Sequence, residues 1–272
     1  MELFVHDTAF MIAYYRAKYE EESKDPFARL WLRPGLEKWN LEFAKKVSPH
    51  DDMQHCMRNR FFYDELEQLC EAQELLLLVN FGAGFSMYPY SLSPHMRTLE
   101  VDFEEIVQYK SRKIQEFEEN GLLPTRPVQH LVADITKDQD VLRTSIAHYG
   151  NCFKVILIEG VFFFLSKKEI DAVISNCASM LDPGDYLMCV SFEDRLKQTP
   201  VFDRLTHYFS EVLKSSENPF TTLSHDFYSN LENFQLLRFE NGLSLGKKLQ
   251  LFPDDLDENE VLNEYYYVLQ KK

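Results

Sequence analysis

The chain lacks a surplus of basic charge. Its 29 Lys and Arg face 44 Asp and Glu, for a net charge of −15. That balance argues against a phosphate backbone as the main partner, since affinity there needs a basic face, and no nucleic-acid partner is expected. No run of about 18 apolar residues occurs, so no membrane-spanning helix is expected. The first residues, MELFVHDTAF, show no basic region followed by an apolar core, so no secretory signal is expected. Paired cysteines are missing too. Cys56, Cys70, Cys152, Cys177 and Cys189 are odd in number and scattered, with no CxxC, which fits a reduced, cytoplasmic compartment. The eight histidines form neither HxxxH nor HExxH, so no metal site is expected. Three familiar catalytic loops are absent as well. Ser86, in Gly84-Phe85-Ser86-Met87-Tyr88, lacks the second glycine of a nucleophile elbow. No GK[ST] follows a glycine loop, and Met87 stands where a dinucleotide fingerprint needs its third glycine.

What is present is an ordinary globular composition, 45% hydrophobic and 27% charged over 272 residues, enough for one large α/β domain or two small ones. Aromatics reach 14%, with 22 Phe and 14 Tyr, so an aromatic-lined core or pocket is expected. The most informative stretch is Leu75 to Asp102. It opens on the apolar run Leu75-Leu76-Leu77-Leu78-Val79, breaks into Gly82-Ala83-Gly84, and resumes as Thr98-Leu99-Glu100-Val101-Asp102. A short, fully apolar run predicts a strand buried on both faces, as in a parallel sheet covered by helices. Glycines at the end of such a strand let backbone approach a ligand, because no Cβ intervenes. An acid at the end of the next strand suits the two hydroxyls of a ribose.

In chain order, residues 1–32 are predicted helical, followed by a helix from Asp51 to Ala72. Strands are predicted at 98–102, Val128–Ala133, Lys154–Glu159 and Tyr186–Phe192, after the first at 75–80. Helices over Phe103–Asn120, Asp138–Tyr149 and a stretch opened by Ser166 alternate with them. Ser166 with Glu169 makes a capping box. Residues 193–230 form a mixed, helical insertion. The segments FQLLRFENG and EYYYVLQ predict two final strands, an antiparallel pair at a sheet edge, joined by the acidic, solvated PDDLDENE. The order predicts an open, doubly wound, mostly parallel sheet with an N-terminal helical cap over residues 1–50. Ligands in such sheets bind at the carboxyl ends of the strands. Those ends hold Gly82 and Gly84, Asp102, Asp134 and Glu159. Glu159 follows Val155-Ile156-Leu157-Ile158 and would be partly buried, so it needs a partner; a cationic ligand is a natural one.

These residues also carry a family resemblance. The blocks TAFMIAYYRAKYEEESKDPFA, RNRFFYDEL, VNFGAG, LEVDFEEIVQYK, ADI, EGVFFFLSKKEI and LDPGDYLMCVSF, running from Thr8 to Phe192, resemble the leucine carboxyl methyltransferase family. The resemblance implies a single class I methyltransferase domain over 1–272, a Rossmann-like seven-stranded sheet, and S-adenosyl-L-methionine as cofactor. It implies that Arg60 holds the cofactor's methionine carboxylate. Gly82, Ala83 and Gly84 would pass their backbone by the cofactor, and Asp102 would take the ribose hydroxyls. Asp134 and the Ile135 backbone would meet the adenine, and Glu159 would lie near the methionine amino group. The acceptor would be covered by the N-terminal helices and by residues 193–230. Thr8 and Arg16 are further candidates for contact with the cofactor tail. The family resemblance implies an O-methyltransferase acting on a carboxylate or hydroxyl of a small molecule. Its alternatives are a carboxyl methyltransferase of the C-terminal leucine of a type 2A protein phosphatase, and a non-catalytic cofactor-binding relative. Catalytic residues are not named by the sequence; His207, Tyr208 and His225 are the candidates for a base. Three departures stand out. Phe85-Ser86-Met87-Tyr88 replaces the acid, small hydroxyl residue and basic residue usual in bacterial members, Phe164 replaces a tyrosine, and Tyr63 replaces an acid.

Overall fold

The computed structural model describes residues 5–213 and 220–272. The helices and strands run α1 (Val5–Lys18), α2 (Glu20–Ser23), α3 (Leu36–Lys46), α4 (Asp51–Ala72), β1 (Leu76–Phe81), α5 (Tyr88–Ser91), β2 (Arg97–Asp102), α6 (Glu104–Glu119), β3 (Val128–Val132), α7 (Gln139–Ala147), β4 (Phe153–Ile158), α8 (Lys167–Met180), β5 (Tyr186–Phe192), α9 (Pro200–Leu213), α10 (His225–Ser229), β6 (Phe234–Asn241), α11 (Gly242–Lys248) and β7 (Glu264–Lys271). The seven strands form one sheet in the order β3-β2-β1-β4-β5-β7-β6. The first five pair in parallel. β7 pairs antiparallel with both β5 and β6, so the C-terminal hairpin closes one edge.

Alternation in β1 explains why that strand is apolar except at Asn80, whose amide is bonded to Ser86. Leu77, Val79 and Phe81 enter one core with Ile170, Val173 and Ile174 of α8. Leu76 and Leu78 enter the opposite core with Phe61, Phe62 and Leu66 of α4. Both faces are covered, so neither set tolerates a polar residue. The first leucine of the run, Leu75, falls outside the strand and is exposed. The same alternation sends Tyr265 and Tyr267 of β7 to one core and Tyr266 and Val268 to the other.

Local signals set the helix ends. The Ser166 side chain accepts from the Glu169 amide, and the Glu169 carboxylate accepts from the Ser166 amide, which starts α8. Gly121, with φ +70°, ends α6 in the left-handed conformation. α11 was missed by the sequence pattern: GLSLGKK is too short for a clear helical period, and it is started by the Asn241 side chain accepting from the Ser244 amide.

Residues 193–230 do not pack as one body. Val201, Phe202, Leu205 and Tyr208 of α9 join the core on the α4 side, while Leu223 and Tyr228 join the opposite core. There Tyr228 stacks on Tyr267 with ring centroids 3.7 Å apart.

A buried polar network ties α6 to the sheet beneath the glycine loop. Lys110 Nζ lies 2.8 Å from Glu100 and donates to the Ser86 carbonyl at 2.9 Å, and His130 Nε2 lies 3.2 Å from the same glutamate. Burial alone would raise the Glu100 carboxyl, but Lys110 and His130 outweigh it and hold the group below its ordinary value. Lys110→Ala leaves a buried carboxylate short of its main partner and should lower stability by about 3–5 kcal/mol. Urea unfolding measures this; a loss of under about 1 kcal/mol, the worth of a surface pair, would show that the network is solvated.

Candidate functional site

Strand order reverses between β1 and β4, and a cleft of about 360 Å³ opens at the carboxyl ends of the strands there. Gly82 through Ser86, Asp102, Asp134, Ile135, Glu159 and Gly160 line it, with Thr8, Ala9, Ile12 and Arg16 of α1 facing them. Thus seven of the eight cofactor residues expected from the sequence, all but Arg60, meet in one cavity.

The chain turns sharply after β1. The amides of Gly82 and Ala83 both donate to the Val101 carbonyl, at 2.8 and 3.2 Å. Gly82 has φ +67°, and a Cβ there would come within 2.3 Å of Val161 Cγ2, so only glycine fits. At the end of β2, Asp102 accepts one backbone amide on each oxygen, from Gly84 and from Phe103, both at 2.8 Å. Burial pushes its carboxyl above the ordinary value although both amides oppose the shift. Each oxygen keeps a free lone pair. Phe103, next in the chain, lines the cleft yet is 58% exposed. Sequence reasoning passed over it, though an aromatic directly after a strand-end acid was a usable signal.

Asp134 does turn chemistry as well. Its Oδ1 accepts from the Thr136 amide and hydroxyl, and its Oδ2 pairs with Lys137 at 2.7 Å. Burial would raise it, but the bonds from Lys137 and Thr136 prevail and lower it.

Glu159 has partners within the protein. Arg58 Nε donates to Oε1 and the Tyr88 hydroxyl to Oε2, each at 2.8 Å. Arg58 also donates from Nη1 to Glu264 Oε1 at 2.7 Å. This guanidinium is 4% exposed. Gly160, at φ +74°, sits against it; a Cβ there would stand 3.5 Å from Nη2. The two glutamates that share Arg58 are driven apart. Burial would raise Glu159, but Arg58, Arg16 and Tyr88 hold it below the ordinary value. Burial raises Glu264 in spite of Arg58 and His55.

Arg60 lies elsewhere. It pairs with Asp64 at 3.1 Å, reaches toward the carbonyls of Glu21 and Glu22, and does not line the cleft. Two residues apart on α4 means about 200° of rotation, so Arg58 and Arg60 point to opposite sides. The second cation facing the cleft is Arg16, which bonds Asp25 at 2.9 Å and the Phe85 carbonyl at 2.8 Å. The bases weighed from the sequence also fall outside. His207 is 75% exposed beside Glu211, Tyr208 accepts from Trp39 Nε1, and His225 packs on Phe239.

The departures at Phe85 to Tyr88 have structural roles. Phe85 stacks on Trp31 at 4.5 Å and meets Phe10 and Tyr109, seating α1 and the following turn over the glycine loop. Ser86 accepts from Asn80, and Tyr88 orients Glu159. No group of metal-ligating side chains occurs among the described residues, and none of their helices is long and apolar enough to cross a membrane.

A family model described as leucine carboxyl methyltransferase matches residues 9–178. No curated protein matches the chain. Solved structures share its fold. A DUF574 family protein of Streptomyces avermitilis is 14% identical, with 97% of each chain covered and a TM-score of 0.69. A Thermobifida fusca protein proposed to be a methyltransferase is 17% identical, with 88% of this chain and 89% of that one covered and a TM-score of 0.64. Magnesium protoporphyrin IX methyltransferase of Synechocystis, solved with S-adenosylhomocysteine bound, is 12% identical, with 95% and 97% covered and a TM-score of 0.53.

Because Glu159 is depressed in the folded chain, its stabilising effect is full above the unfolded carboxylate value, about 4.3. It is lost as pH falls through the lower folded value. Glu159→Gln should therefore be less stable than wild type near about pH 7, with the gap narrowing toward about pH 3. Urea unfolding at a series of pH values checks this, and a pH-independent gap would remove the charge pairing as its cause.

Proposed function

Since the chain belongs to the leucine carboxyl methyltransferase family, we propose that it is an S-adenosyl-L-methionine-dependent O-methyltransferase acting on a small-molecule acceptor. The observation that carries this reading is the set of three strand-end acids, Asp102, Asp134 and Glu159, grouped around the glycine loop in one cleft. A ligand with a pyrophosphate would meet like charge there. A nucleoside with a cationic tail suits it.

The residues present fit the cofactor. Asp102 has acceptor capacity left on both oxygens after its two amide bonds, which suits paired ribose hydroxyls. Ile135 and the exposed ring of Phe103 offer apolar faces for a base, with Asp134 beside them. Gly82 and Gly84 keep side chains out of the floor. Glu159 supplies the negative charge for an ammonium group, and Arg58, rather than Arg60, offers a carboxylate its Nη2 beside Gly160, since Nε and Nη1 are bonded to Glu159 and Glu264. When bound, S-adenosyl-L-methionine supplies a methyl group activated by a sulfonium. The protein's own contribution is placement and exclusion of water: α1 forms one wall of the cleft, and Phe85 with Trp31 fixes the loop opposite. A carboxylate acceptor would be ionised without help, whereas a hydroxyl gains from a nearby base.

Titration calorimetry with S-adenosylhomocysteine tests the reading; no binding at high micromolar concentration would sink it. Asp102→Ala should weaken binding by about 1–3 kcal/mol, the worth of a charge-assisted hydrogen bond. Arg58→Ala should weaken it far more than Arg60→Ala, and the reverse order would restore Arg60 to the role implied by the family resemblance.

A further inference from the structure

A second cavity, of about 120 Å³, adjoins the cofactor cleft and shares Thr8, Ile12, Arg58, Gly160 and Phe164 with it. Eight of its 18 lining residues are aromatic, including Trp39, Phe163, Phe192 and Phe220, and several more are aliphatic. Its charged residues are few, and their charge is lopsided. Asp51 and Glu264 are the carboxylates, and Arg58 is the only Lys or Arg that lines the cavity among the described residues. Its Nε and Nη1 are already committed to Glu159 and Glu264.

His55 sits between the two acids. Its Nε2 is 3.4 Å from Asp51 and its Nδ1 3.7 Å from Glu264, and its ring stacks on Tyr15 at 5.5 Å and 17°. Two polar atoms on this wall are buried without a hydrogen-bond partner among the described residues, Glu264 Oε2 and His55 Nδ1. The Glu264 side chain is only 3% exposed. A buried carboxylate oxygen without a donor is costly, and a donor entering the cavity relieves that cost.

Resting on the cofactor assignment above, we propose that this cavity selects an aromatic or apolar acceptor bearing a hydrogen-bond donor, a hydroxyl or a protonated amine, which is anchored on Glu264 and His55, and that it rejects carboxylates. A carboxylate in so small a cavity faces Asp51 and the unpaired oxygen of Glu264, and the one guanidinium there is bonded to two glutamates through Nε and Nη1 and claimed by the cofactor's own carboxylate. Like charges brought together in a desolvated site are strongly disfavoured. A hydroxyl or ammonium finds an acceptor waiting. The aromatic walls supply the apolar part of the affinity, as ring faces do for other rings. The methyl therefore goes to a small molecule bearing such a donor rather than to a free acid or to a chain-terminal carboxylate.

Three probes of one shape test this on the full chain: 4-propylphenol, 4-propylbenzylamine and 4-propylbenzoate, titrated by ligand-observed NMR with and without S-adenosylhomocysteine. The phenol or the amine should bind at least about tenfold tighter than the benzoate. In Glu264→Gln that preference should shrink to about threefold or less. Asp51→Asn should reduce it in the same direction and serves where the first variant does not fold. Benzoate binding as tightly as the others, no saturable binding by any probe, or a preference unchanged in a folded variant would each overturn the proposal. The parallel titration with S-adenosylhomocysteine reads the cofactor assignment separately. Cofactor-product binding combined with benzoate preference overturns only the acceptor class. Donor preference without cofactor-product binding overturns only the cofactor reading.

Discussion

The site depends on one buried cation held by two carboxylates. Arg58 rises from α4 and bonds Glu159 at the end of β4 and Glu264 at the start of β7. Such a group of charges adds little net stability over a well-packed apolar cluster, yet losing one member is expensive, because the rest are left uncompensated in a medium that solvates them poorly. The benefit is geometric. Arg58 lines both cavities at once, so the group that borders the proposed place of the cofactor's tail also borders the proposed acceptor cavity. It ties α4 to the end of β4 and the start of β7. The opposed shifts of Glu159 and Glu264 express that sharing: one guanidinium serves two acids unequally.

The glycine loop depends on a different kind of contact. Its Ser86 is held by Lys110 at the backbone carbonyl and by Asn80 at the hydroxyl, and its Phe85 by stacking on Trp31. Arg16 joins the two halves by bonding the Phe85 carbonyl. The helix that walls the cleft is therefore fastened to the loop that floors it. Sequence that leaves the family pattern at Phe85–Tyr88 keeps the geometry by other means, replacing charge with aromatic packing and using Tyr88 to hold Glu159.

Much of this was legible in the residues. The apolar runs of β1 and β4, buried on both faces, and the acids and glycines that end them follow from elementary patterning, and Asp51–Ala72 and Tyr186–Phe192 have the bounds the sequence suggests. The choice between Arg58 and Arg60 was not legible. Both lie on one helix among similar neighbours, and their difference is a rotation that only tertiary packing resolves. Nor could the sequence reveal that Glu159 already has partners, since Arg58 and Tyr88 stand 101 and 71 residues away. The place of His55 between two acids was not legible for the same reason. Its meaning comes from Asp51, one turn before it, together with Glu264, far along the chain. A short helix such as α11, following a strand directly, has too few residues for periodicity to speak.

The antiparallel sense of β7 has a consequence for how the molecule comes into being. Because that strand runs opposite to its neighbour β5, its first residue, Glu264, lies at the end of the sheet where the parallel strands finish. The contact with Arg58 spans 206 positions. During synthesis the helix bearing Arg58 and all five parallel strands emerge before the segment that balances their charge. The glycine loop and the strand-end acids of the first cleft thus precede it, but the Glu264 wall of the second cavity does not. Completion of the second cavity waits on the seventh strand, so a product truncated before it would lose that wall together with the packing of Tyr265 to Leu269 on both faces of the sheet.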